Sequence, residues 1–97
     1  MAKKKNTSIF TEPKEYVITS AMKELIHALK TCGYQVEVVS QGFYCTDFRK
    51  GFSFYRYCTE ISIDEYDGEG NAYTFDFTPD GERIFDYDFD PKYCIKT

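Results

Sequence analysis

The chain is poor in the residues that build metal and nucleotide sites. It has one histidine, His27, and no tryptophan. Its four cysteines, Cys32, Cys45, Cys58 and Cys94, include no Cys-x-x-Cys pair. With one imidazole and no paired thiols, a zinc site is not expected. Walker, Gly-x-Gly-x-x-Gly and Gly-x-Ser-x-Gly motifs are missing, so neither a phosphate-cradling loop nor a nucleophile elbow is available. These gaps point away from an enzyme, and no cofactor is expected. No apolar run approaches the ~18 residues that cross a bilayer. No apolar segment follows Lys3, Lys4 and Lys5, as a secretory leader requires. The expectation is a cytoplasmic protein with reduced thiols and no membrane partner. Cys32 and Cys45 are expected to pack as small hydrophobes.

Basic residues are also scarce in one place. Between Glu60 and Asp90 there are eleven acids and a single base, Arg83, a formal charge of −10 in a chain whose total is −4. Residues 1–59 carry the opposite sign, with nine bases against five acids. Such an asymmetry between segments is a hint about partners.

What the chain has in abundance is aromatic side chains, nine Tyr and nine Phe among 97 residues. Each buries roughly 150–250 Å², so a few suffice for a small core and others are left for a surface. The length suits one domain, 1–97, that buries roughly 65% of its unfolded surface. Residues 1–10 read as a basic, flexible lead-in and 91–97 as a tail.

Hydrophobic spacing sets the elements. Ile18, Met22, Leu25, Leu29 and Cys32 follow one stripe of a helix over 12–32. Thr11 is a candidate N-cap and Pro13 a first-turn residue. A shorter helix, with Tyr16–Thr19 extended and Ser20 as cap, fits as well. Gly33 suits the left-handed position that ends a helix. Lys23, His27 and Lys30 fall on the opposite, solvated face. From Tyr34 the period is two, which predicts strands over 34–39, 43–48, 52–66, 72–78 and 83–89. A bulge is expected near Cys58-Thr59, where the apolar parity shifts. Turns are expected at Ser40–Gly42, Arg49–Gly51, Asp67–Asn71 and Pro79–Gly81. Short connections imply antiparallel neighbours. The fold class is therefore α+β, with one N-terminal amphipathic helix on a four- to five-stranded antiparallel meander in two layers. Phe75, Phe77, Phe85, Tyr87 and Phe89 are the candidate core under the helix.

Asp86, Asp88 and Asp90 share one face of the last strand, ~7 Å apart. Such an extended row does not converge on one cation, so no metal is expected. Asp64, Asp67, Glu69 and Asn71 resemble part of a calcium loop, but the EF-hand spacing is not met. The remaining pattern is electrostatic. An acidic sheet face resists aggregation and aids solubility. It also carries a standing negative potential that suits a basic partner.

The reading that follows is a protein-binding inhibitor or decoy. It would occupy the basic nucleic-acid surface of a nuclease or nucleic-acid-processing complex. Small acidic proteins of phages and mobile elements, such as anti-restriction and anti-CRISPR proteins, offer an analogy of size and charge. The expected partner-binding residues are Asp64, Asp67, Glu69, Asp76, Asp80, Glu82, Asp86, Asp88 and Asp90, with Tyr55, Tyr57 and Tyr66 as anchors. One alternative is an immunity protein that neutralises a cationic toxin. Another is a single-stranded nucleic-acid-binding domain that uses the basic and aromatic residues of 49–57. The net negative charge makes direct nucleic-acid binding the less expected.

Overall fold

The computed structural model describes residues 12–85 and 93–96. Helix α1 spans Ser20–Thr31, and the strands are β1 (Val36–Asp47), β2 (Phe52–Tyr66), β3 (Ala72–Phe77), β4 (Arg83–Ile84) and β5 (Cys94–Lys96). The architecture is α+β with an antiparallel sheet in the order β1-β2-β3-β4, and β5 also pairs with β2.

The helix is the shorter of the two versions expected. Thr19, not Ser20, is the N-cap, and its hydroxyl accepts the amide of Met22 at 3.3 Å. Pro13 has no part in the helix start, and Thr11 lies outside the described residues. The residues before Thr19 are held elsewhere, because the Val17 amide donates to the Pro79 carbonyl at 2.8 Å. Tyr16-Val17-Ile18-Thr19 is also rich in β-branched side chains, which lose χ1 freedom in a helix. At the other end Gly33 has φ +98°. Its amide reaches Lys30 O, and that of Tyr34 reaches Leu29 O at 3.1 Å. Those two bonds make the Schellman closure that Gly33 foretold.

β1 is one strand where two were expected. Ser40, Gln41 and Gly42 pair with Thr59, Cys58 and Tyr57 without a break. Ser40 and Thr59 share a hydroxyl hydrogen bond of 2.7 Å across that step. Gly42 is there to give space. A Cβ on it would lie 2.6 Å from the Tyr55 ring, so the residue reads as a close approach and not a turn. The β1–β2 register likewise runs unbroken past Cys58 and Thr59, and the irregularity lies between Ser62 and Tyr66 against β3. The expected bulge is therefore absent at Cys58-Thr59. The parity shift has another cause, namely that both faces of the sheet are covered there.

One face carries α1, with Met22, Ile61 and Phe77 buried and Leu25, Ile26, Leu29, Val36 and Phe75 packed around them. The other face has its own cluster of Cys45, Phe54 and Cys94, flanked by Phe43 and Phe52. Cys58 and Thr59 fall on opposite faces and both are buried. Phe75 and Phe77 take their expected core places. Phe85 does not, being 66% exposed. Cys32 is exposed rather than packed. Tyr87 and Phe89 lie outside the described residues.

The last expected tail residues are partly a strand. Tyr55 pairs with Ile95 and Arg56 with Cys94. One edge of β2 is taken by β1 over that whole length. β5 must therefore use the edge that β3 occupies further along. The sheet is thus not a pure meander.

Candidate functional site: the acidic hairpin and the buried arginine

Where β2 and β3 pair, over residues 59–66 and 72–77, the hairpin carries no positive charge. Between Arg56 and Arg83 there are eight acids and neither lysine nor arginine. Folding divides those acids into three groups. Asp64, Glu65 and Glu69 are exposed at the β2–β3 turn, with Asp67 half-buried among them. Glu37, on the neighbouring strand opposite Ser62, is exposed beside them. Asp80 and Glu82 are exposed at the β3–β4 turn. That turn is one strand length away, about 17–20 Å for six residues. Glu60 and Asp76 face each other in the sheet between the two turns.

The β2–β3 turn is built by its own acids. Asp67 Oδ1 accepts the amides of Glu69 at 2.8 Å and Asn71 at 3.0 Å. The Asp67 amide donates to Asn71 O, and Gly70 supplies φ +88°. The amides of Asn71 and Glu69 hold the Asp67 carboxyl below its usual range. Asp64 Oδ1 accepts the Gln35 amide at 3.0 Å, which ties the start of β1 to the end of β2. Glu65 and Glu69 lend no side-chain hydrogen bond to this frame among the described residues. Tyr66 and Tyr73 are exposed near the same end.

Asp76 was expected on an outward row, and the structure corrects this. It lies opposite Glu60 and beside buried Arg56, whose Nη2 donates to Asp76 Oδ2 at 2.7 Å. The Arg56 side chain is 2% exposed and that of Asp76 14%. Nε and Nη1 of Arg56 and Oδ1 of Asp76 are buried without a hydrogen-bond partner among the described residues. Burial, and then the charge of Asp76, push the Glu60 carboxyl up, while Arg56 pulls it down. Burial also raises the thiols of Cys58, to about 12, and Cys45, against the pull of Arg56. They are neutral thiols and not nucleophiles. A cleft of about 420 Å³ opens beside the pair, bounded among others by Arg56, Glu60, Asn71, Thr74 and Asp76. The signal for this pair was present in the sequence. Arg56 shares its parity with Phe52, Phe54 and Cys58, an odd place for a solvated base.

The three tyrosine anchors do not gather. Tyr55 and Tyr57 meet edge to face, with ring centroids 5.6 Å apart. Burial, then the neighbouring Tyr55 and Glu12, raise the Tyr57 hydroxyl. Tyr66 sits at the far end of the same strand. Asp80 accepts a hydrogen bond from Tyr93 OH. The basic-aromatic alternative over 49–57 loses its centre, because Phe54 and Arg56 are buried. What remains there is a tip. Arg49 and Lys50 are exposed, and Phe48 beside them is 89% exposed. Buried Asp47 organises that tip by accepting the amides of Arg49 at 3.0 Å and Lys50 at 3.2 Å on Oδ1.

Asp86, Asp88 and Asp90 lie outside the described residues. No group of three or more His, Cys, Asp or Glu that could hold a metal occurs among the described residues. Nor is any described helix long and apolar enough to cross a membrane. No family model, curated protein sequence or solved structure matches the chain.

Proposed function

We propose that the protein is a non-enzymatic binding module. It presents the acidic β2–β3 turn to a basic protein surface, such as the nucleic-acid channel of a nuclease or nucleic-acid-processing complex. In this reading the chain is a cytoplasmic, two-layer α+β unit with its helix N-terminal to the sheet. The carrying observation is the exposed set Asp64, Glu65 and Glu69, at the end of a hairpin whose paired stretch, 59–66 and 72–77, holds no base, with Glu37 of β1 exposed beside them. Carboxylates that cannot neutralise one another keep a negative potential, which steers a basic partner and makes its binding sensitive to salt. Asp67 contributes charge while fixing the turn. Tyr66 and Tyr73 add apolar area beside it. Asp76 and Glu60 are removed from the contact set, because Arg56 neutralises one and burial withdraws both. Asp80 and Glu82 form a second, smaller group.

Glu65 and Glu69 are the residues to reverse, since Asp64 and Asp67 also hold backbone in place. The experiment is capture from the native cells on immobilised wild-type chain and, in parallel, on Glu65→Lys/Glu69→Lys. A basic nucleic-acid-binding protein should be retained by the wild type. The reversed chain should bind it on the order of 30-fold or more weakly, because like charges then face each other. Circular dichroism should show the same fold. Equal retention by both baits, or strong retention of single-stranded oligonucleotide by the isolated wild-type chain, would refute the reading.

A further inference from the structure

Asp76 Oδ1 is buried with no hydrogen-bond donor among the described residues. The other oxygen of that carboxylate, Oδ2, takes the Arg56 Nη2 proton at 2.7 Å. A buried acceptor left without a donor costs free energy, so the sheet gains wherever a donor reaches it. Glu60 is the side chain placed to do this. It stands directly opposite Asp76 in the β2–β3 ladder. Residues opposite each other in an antiparallel pair share a face, with Cβ atoms roughly 4.5–5.5 Å apart. The Glu60 carboxyl has no hydrogen bond or ion pair of its own among the described residues. Both acids border the cleft of about 420 Å³, which gives the longer glutamate chain room to turn.

The charges around Glu60 favour a proton on it. β1 sets Val39 opposite it, and the Cys45 thiol lies further along the same face. Its own strand supplies Cys58 and Arg56, and β5 sets Cys94 opposite Arg56. β3 supplies Asp76. β4 brings Arg83 to the cleft wall, with its guanidinium 4.8–5.8 Å from the ring centroids of Phe75, Phe77 and Phe85. Helix α1 packs on the opposite face. Among these groups Arg56 is the cation that touches an acid, and the acid it touches is Asp76. Two carboxylates against one bound guanidinium leave a charge uncompensated in a half-buried place, and a proton removes it. The proton falls to Glu60, whose carboxyl is pushed up by burial and then by Asp76.

We propose that Glu60 is a proton-operated clasp across the middle of the β2–β3 hairpin. Protonated, it turns and donates its O–H to Asp76 Oδ1, fastening β2 to β3 between the two turns. Ionised, it leaves Asp76 and points into the cleft. The proton comes from solvent and stays on the Glu60 carboxyl, so the bond that forms or breaks is that O–H alone. The clasp is closed below the native midpoint of Glu60 and opens as pH rises through it.

Two measurements on the full chain test this. The Glu60 carboxyl carbon is followed by NMR from about pH 3 to 8, and its midpoint should lie above the ordinary glutamate range. In Asp76→Asn, with folding checked by circular dichroism, that midpoint should fall back toward the ordinary range. The second measurement does not depend on that variant. Glu60→Gln and Glu60→Met both remove the charge, and only the first keeps a donor for Asp76 Oδ1. At pH 7 the Glu60→Gln chain should melt about 4–8 °C above the Glu60→Met chain, the worth of one hydrogen bond. An ordinary Glu60 midpoint overturns the proposal, and so does a midpoint unmoved in folded Asp76→Asn, which would leave burial as its whole cause. Glutamine and methionine variants that melt together overturn it as well.

Discussion

Replacing Asp76 with alanine tests whether this acid is a structural partner of Arg56 or part of a working surface. Arg56 is 2% exposed, and Nε and Nη1 have no hydrogen-bond partner among the described residues. Removing Asp76 takes away its 2.7 Å carboxylate contact and leaves a guanidinium that cannot deprotonate. Breaking a buried pair from one side costs about 3–5 kcal/mol. Neither side chain is open enough for solvent to screen that loss away. A domain of this length has about 5–15 kcal/mol in total. The change should therefore lower the Tm by roughly 15–30 °C. Replacing both residues by apolar ones, as in Arg56→Met/Asp76→Leu, removes the unpaired charge and the orphaned polar atoms together. That double variant should match or exceed the wild type, as buried pairs often do when exchanged for packed hydrophobes. The assay is urea unfolding followed by far-UV circular dichroism. A loss below about 1 kcal/mol for Asp76→Ala, with the double variant no better than the single, would show that water reaches the pair and that Asp76 belongs to the surface.

Three further outcomes follow from the same geometry. At pH 8 one thiol, Cys32, should react quickly with Ellman's reagent. Cys45, Cys58 and Cys94 should react only on unfolding, since all three are buried and burial raises the first two thiols. Gly81→Ala should cost about 1–3 kcal/mol by thermal melting, because Gly81 has φ +91° and its new methyl would meet the Thr19 methyl. Glu60→Gln should stabilise the protein at neutral pH. Its native carboxyl is raised above the unfolded value, so the native state holds the proton more tightly. The stability that Glu60 supplies is full below about pH 4.5 and is lost as pH rises through the native value. The advantage of the glutamine variant in Tm should therefore vanish toward pH 4, and an advantage that grows on acidification would contradict the sign.

Local chemistry was legible where one residue type has one job. Gly33 ends α1 because a left-handed residue closes a helix cheaply only as glycine. Asp67 to Asn71 and Pro79 to Gly81 turn because their side chains and φ values allow it. The stripe of Met22, Leu25 and Leu29 found its core. The helix start was less legible, because Thr19 and Ser20 are both cap residues and the bond from Val17 to Pro79, 62 positions away in the chain, decided between them.

The sequence by itself determined that β2–β3 is a hairpin short of bases, since charge and alternation are properties of residues in order. Only tertiary structure decided which acids remain free. Parity places Asp76 on a face but does not say what else lies on it. In the fold that face holds Arg56, Phe54, Cys45 and Cys94, brought together from three strands. The same is true of Gly42, which reads as a turn in the chain and as room for the Tyr55 ring in the sheet. A charge count treats every carboxylate alike. Burial and a partner 20 residues away turn one of them from surface into core.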